Sequence, residues 1–279
     1  MAGQPITFGG VAAFAQVSWR RLFIIQAVVA GGAVAAVLVL LFSAWLPSVE
    51  SAIHNLPENG YILRGELAWP KPEATLLTES RWLSLIVTPV DTHSFSKAAD
   101  FRLELHGQEA RLYSMFGYMQ IPYGPEFSLV LNRPDAVPWW GARRPFFIAG
   151  AIVGTFVGLW LTWMLLAMLY APVARLLAFW TDRDLTWRQA IRVCAASLLL
   201  PAIVYSAAIA LYGLGWLPLE GLLAACALHI AMGWVYVAGA ALRLPGRQGL
   251  NTLPKQNPFN HPEGEKPKDK PAGNPFQGS

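Results

Sequence analysis

The chain has 279 residues, 54% of them hydrophobic and only 14% charged, with a formal net charge of +4. Soluble domains carry about 25% charged residues, so this composition argues against an ordinary soluble protein, and it excludes collagenous and disulfide-rich classes. The mean hydropathy of +0.39 points the same way, toward a membrane.

Four stretches lack Asp, Glu, Lys and Arg: residues 22–49, 145–174, 193–219 and 221–242. Crossing the hydrocarbon core takes about 20 apolar residues, and all four pass that length. A buried core helix seldom stays apolar on every face for so long. The fold class expected is therefore an α-helical polytopic membrane protein. Its four transmembrane helices lie at 22–46, 146–170, 193–214 and 220–242.

In chain order, 1–21 is a short N-terminal arm. Within it, 6–18, with Ile6, Phe8, Val11 and Phe14, suits a helix lying on the leaflet. The first span follows Arg20 and Arg21. Its apolar run is longer than the roughly 7–15 residues of a signal peptide, so it reads as an uncleaved anchor. Residues 47–145 form a β-rich insert between the first two helices. Its strands are expected at Tyr61-Ile62-Leu63, Leu67-Ala68-Trp69, 82–87, 101–105, 110–118 and 127–131, mostly antiparallel. Residues 94–100 suit one helical turn. After the second span comes a 171–192 loop, and a 215–219 turn joins the third and fourth. The 243–279 tail, rich in Pro, Gly, Asn and Lys, is expected to be disordered.

Orientation follows from Lys and Arg in the short connections. The N-terminal arm has two and the 171–192 loop has Arg175, Arg183, Arg188 and Arg192. The 215–219 turn has none, and the tail has six. Both termini are therefore expected in the cytoplasm, with 47–145 outside the inner or plasma membrane. The basic inner side suits anionic lipid headgroups. The pI near 9.2 then needs no nucleic-acid partner. Trp19, Trp45, Trp139, Trp140, Tyr170, Trp180, Trp187, Tyr212 and Trp216 mark the expected membrane borders.

Within the spans, Gly150, Gly154 and Gly158 fall on one helix face, a spacing that lets another backbone approach. Gly31, Gly32, Ala35 and Ala36 of the first span are the expected partner; a homo-oligomer through the second span is the alternative. Pro201 is expected to kink the third helix. His229, with Gln26, Tyr205 and Ser206 as polar companions, is the ionisable residue nearest a bilayer centre. A structural hydrogen bond suits it better than proton transport, since it has no acidic companion at that depth. Cys194 and Cys226 lie about 20 Å apart in depth and read as small buried hydrophobes.

Catalytic patterns are weak. Asp91, His93 and Ser94 are close in sequence only, and no nucleophile elbow, P-loop, dinucleotide fingerprint or zinc motif occurs. His54, His93 and His106 lack metal-ligand spacing. No cofactor and no enzymatic activity are expected. The tail repeats one tripeptide, Asn257-Pro258-Phe259 and Asn274-Pro275-Phe276, which suits a short docking peptide.

The stretch from Asn55-Leu56-Pro57 to Trp69, then Trp82-Leu83-Ser84-Leu85-Ile86-Val87 leading to Asp91-Thr92, has a familiar layout. So does Arg188-Gln189-Ala190-Ile191-Arg192 followed by Leu200-Pro201. Over roughly 10–242 the chain resembles uncharacterised bacterial membrane proteins of the broad Yip-like class, which combine an N-terminal span, an extracytoplasmic insert and a helical bundle. That resemblance implies a bacterial origin, no known enzyme activity and no settled substrate. The function expected is a scaffold, sensor or assembly factor that binds an unknown membrane or envelope protein through its outer domain. A transporter subunit or transport accessory protein is the alternative.

Overall fold

The computed structural model describes residues 5–90 and 99–246. Four helices in it are long and apolar enough to cross a membrane, and a β region lies between the first of them and the rest.

The chain enters through α1 (Phe8–Ala13) and a single 3-10 turn (Phe14–Gln16). The face carrying Val11 and Phe14 is wholly buried in the protein itself, rather than left for lipid. The first long helix starts at a Ser18 cap. It runs through α2 (Trp19–Leu40), a π-turn (Leu41–Trp45) and α3 (Leu46–His54). It thus passes the expected end at 46. Pro47 lacks the N–H that a regular turn would need, and the π-turn just before it absorbs the irregularity. Beyond it α3 has a reason to persist: Ala52 and Leu56 pack on Leu77 and Val87 of the β region.

The β region holds two sheets rather than one. Strands β1 (Tyr61–Leu63), β2 (Glu66–Ala68) and β8 (Leu129–Val130) form a small sheet ordered β2-β1-β8. Strands β3 (Thr75–Glu79), β4 (Leu83–Val87), β5 (Phe101–Leu105), β6 (Glu109–Ser114) and β7 (Gly117–Pro122) form the larger one, in that order. All pairings are antiparallel except β4 with β5. The expected strand at 110–118 is two strands, β6 and β7, reversing at Met115-Phe116. Gly117, at φ +117°, takes a backbone angle that side chains disfavour. β3 escapes the alternation test because a register shift between Leu76 and Thr78 breaks its period of two.

The largest departure is α4 (Arg133–Trp180), 48 residues long, where a span at 146–170 was expected. Asn132 caps it by accepting the Asp135 N–H at 2.9 Å, with Pro134 in the first turn. Pro138, Pro145 and Pro172 all sit inside it. The helix therefore takes in the end of the expected insert and the start of the expected 171–192 loop. At its far end the Thr181 hydroxyl donates to the Leu177 carbonyl, and Asp182 turns the chain at φ +54°.

α5 (Trp187–Ser197) opens with a capping box between Thr186 and Gln189. The third long apolar helix is α5 plus α6 (Leu199–Gly213), interrupted at Leu198. α7 (Leu219–Ala241) returns antiparallel to α6. The main core lies at one end of the bundle, around Phe14, Leu22, Trp163, Val193, Leu199, Val237 and Leu244. Arg192, on α5, ties the N-terminal arm into that core by donating to the carbonyls of Ala15 (2.5 Å) and Val17 (2.8 Å). Tyr236 donates to the Ile6 carbonyl at 2.7 Å, and its ring packs on Phe8.

Candidate functional site

Besides its packing on α3, the β region is fastened to α6 at a well-defined place. A tight turn, closed by Ser80 N–H to the Leu83 carbonyl, projects Arg81 and Trp82 toward the end of α6. A helix C-terminus leaves carbonyls without intrahelical donors and carries partial negative charge. Trp82 Nε1 donates to the Tyr212 carbonyl at 3.2 Å. Arg81 donates to the carbonyls of Gly215 and Leu217 in the α6–α7 turn. In return the Tyr212 hydroxyl donates to Asp100 Oδ2 at 2.8 Å. The Asp100 N–H in turn donates to the Arg81 carbonyl, so the three residues form one unit. On the helix side of this latch, Gly213 lies directly on the backbone of Leu40. The Ser43 hydroxyl stands 2.8 Å from the Gly213 carbonyl and 2.5 Å from that of Val39.

One face of the larger sheet is unexpectedly buried and polar. Alternation along β5 places Arg102 and Glu104 on one side, with His106 just past its end. Glu104 and His106 are buried. Glu104 sits 3.4 Å from Arg102 Nε and 3.2 Å from His106 Nε2, and Arg102 lies over the Tyr113 ring. Nearby, burial pushes the Tyr123 hydroxyl up to about 12, helped by the negative charge of Glu109. Arg102, Glu104 and His106 thus form one ionic cluster within the sheet. Asp91, His93 and Ser94 lie outside the described residues. Among the described residues no three metal-ligating side chains converge.

The outer edge of the same sheet is open. β7 is its last strand, and all six residues of β7 are exposed. The Tyr123 N–H pairs with the Gln108 carbonyl, and antiparallel pairs alternate between bonded and unbonded. The N–H groups of Tyr118 and Gln120 therefore point away from β6, and Pro122 closes the row. Side chains there are apolar: Tyr118, Met119 and Ile121, with Met115 and a 76% exposed Phe116 at the hairpin tip.

The residues expected at membrane depth fare differently. Gly150, Gly154 and Gly158 are exposed, and a methyl group at any of them would meet no atom within 4 Å. They do not bring α2 against α4 within one chain; that contact includes Phe23 stacked on Trp160 at 5.3 Å, and α3 meets α4 through the Glu50–Arg144 ion pair at 3.0 Å. Pro201 sits in the first turn of α6, three residues past the break at Leu198. His229 is half-buried with its ring 5.6 Å from that of Tyr205. Its Nδ1 is buried and has no hydrogen-bond partner among the described residues. The Ser206 hydroxyl is committed to the Ala202 carbonyl at 2.7 Å. The groove beside Ser206, between α2 and α6, is lined by Val28, Gly32, Ala36, Ile203 and Ala207 and is apolar. Both cysteines are free. The Asn257-Pro258-Phe259 and Asn274-Pro275-Phe276 repeats lie outside the described residues.

These facts revise the expectation for His229. With no partner to lose, His229→Leu is expected to change stability by less than about 1 kcal/mol, the scale of an intramembrane hydrogen bond. A thermal melt of the detergent-solubilised variant checks this; a large drop would show a partner of real weight.

No protein-family model matches the chain, and no curated protein or solved structure is significantly similar to it.

Proposed function

We propose that this chain is a multi-pass protein of an inner or plasma membrane, with both termini in the cytoplasm and the β region outside. It acts as a non-enzymatic scaffold or sensor, binding an extended segment of an envelope or membrane protein along β7. The observation that carries this reading is an apolar edge strand with two unused N–H groups, on a sheet whose β3–β4 turn, toward the opposite edge, is latched to α6. Strand addition at such an edge gains main-chain hydrogen bonds, and side-chain pockets supply specificity. The latch supplies the route by which occupancy at β7 would bear on the helices. The apolar lining beside Ser206 and the unpartnered His229 favour this reading over the transporter alternative, which needs a continuous polar path. The Yip-like layout is compatible with it.

Two measurements test it. Single cysteines replacing Glu58 and Arg188, in a chain lacking Cys194 and Cys226, are expected to differ in intact cells. An impermeant thiol reagent should label the first and reach the second only after lysis; the reverse pattern would invert the topology. A photo-crosslinking residue at Met119 is expected to trap a second protein in native membranes, with none trapped from Glu58. Gln120→Pro removes one outward N–H and leaves the β6 pairing intact, so it should abolish the adduct. An adduct indifferent to Gln120→Pro would remove the strand-addition mode.

A further inference from the structure

At the other end of α4 the structure has a second recognition feature. Where α4 turns into α5, a cavity of about 320 Å³ is lined by Pro172, Arg175, Arg183, Asp184, Leu185 and Trp187. Its two guanidinium groups are held in place by bonds that leave most of their donors unused. Arg175 Nε donates to the Leu185 carbonyl at 3.3 Å, and its plane lies 4.3 Å over the Trp187 ring. Arg183 donates to the Leu244 carbonyl through one terminal nitrogen, and its backbone bridges to Gly246. Neither arginine forms an ion pair among the described residues. Asp184 is the one acid in the lining, so the wall carries a net single positive charge. A planar guanidinium suits the paired oxygens of a phosphate, and two of them flanking one cavity suit a monoanionic phosphodiester.

The surroundings say where such a phosphodiester comes from. Leu165, Leu169, Val173 and Leu176 are exposed at successive turns of α4 and form a stripe leading to the cavity. At its mouth Phe179 and Trp180 are 69% and 70% exposed, and Trp187 is more than half exposed. Aromatic rings of this kind settle at the headgroup level of a bilayer, and acyl chains cover an apolar stripe. A soluble phosphate would have no use for either. We infer that this cavity binds the headgroup phosphate of an anionic phospholipid, between Arg175 and Arg183, with the acyl chains laid along the α4 stripe. Basic pockets at the cytoplasmic ends of membrane helices meet the leaflet where anionic lipid is concentrated. The inference rests on the helices crossing a bilayer, and it is independent of any partner at β7.

The test uses the full chain in a neutral detergent, so it does not depend on topology. Phosphatidylglycerol is expected to raise the melting temperature and to survive as a bound adduct in native mass spectrometry, with phosphatidylcholine at least tenfold weaker. Arg175→Gln with Arg183→Gln should remove that preference. Asp184→Asn, which touches neither guanidinium bond, should strengthen phosphatidylglycerol binding and keeps the test open if the double variant fails to fold. Equal retention of the two lipids, or a preference untouched by these variants, would overturn the site. Inorganic phosphate that stabilises the protein as well as the lipid, and displaces it, would overturn the lipid as its source.

Discussion

Gly213→Ala is expected to be among the most damaging single-methyl changes in the chain. A Cβ at this position would stand 2.6 Å from the Leu40 Cα and 3.0 Å from the Leu40 nitrogen. Both are backbone atoms, so no rotamer change relieves the clash, and α2 and α6 must separate. Overpacking of this kind costs about 1–3 kcal/mol, and the loss of the Ser43 contact adds to it. The expected result is a clear fall in melting temperature in detergent, with Gly213→Leu failing to accumulate in the membrane. Gly154→Leu is the control. It should leave the isolated chain's melting unchanged, because its neighbourhood is empty. Packing at Gly150, Gly154 and Gly158 would show only as a change in oligomeric state. An unaltered melt for Gly213→Ala would mean that the helices are not seated as described.

Arg192→Leu is the second large effect. The guanidinium satisfies two carbonyls of the N-terminal arm from within the core. Removing it leaves both buried without donors, at about 1–3 kcal/mol each. The arm, from α1 through the 3-10 turn, is expected to leave its seat. Limited proteolysis should then cut near 5–17 in the variant and spare the wild type. Arg192→Lys, with one ammonium for two carbonyls, should fall between. Equal proteolysis of Arg192→Leu and wild type would show that burial of Val11 and Phe14 holds the arm unaided.

These two residues also show where sequence reasoning reached its limit. Four charge-free runs announce the long helices, because burying unpaired charge in hydrocarbon is costly and leaves a mark on composition. β5 announces itself by period two. Gly213 gives no such mark: it stands alone, while the conspicuous glycine series on α4 faces open space within the chain. Close approach depends on which residue reaches the crossing point, and no local spacing records that. Arg192 looks like a topology-setting cation, and only the folded arm shows it as a hydrogen-bond donor to carbonyls 175 and 177 residues away. The second charge-free run begins at 145, yet α4 starts at Arg133 and runs through Pro138, Arg143, Arg144 and Pro145. Proline and charge penalise a helix without forbidding it when neighbours and solvent satisfy the freed groups. The buried polar face of β5 was hidden for a related reason: alternation tells which residues share a side, and it does not tell which side is covered.

The latch at Arg81 also sets an order of events during synthesis. Its two halves are far apart in the chain: Arg81, Trp82 and Asp100 against Tyr212, Gly215 and Leu217. When the last strand, ending at Val130, leaves the ribosome, the 87 residues of 131–217 are still to come. At about 5–20 residues per second that interval lasts about 4–17 s. Throughout it the β region stands with an uncapped arginine, an indole N–H and a carboxylate facing the place that α6 will occupy. Completion of the domain's footing therefore waits on the synthesis and folding of α6.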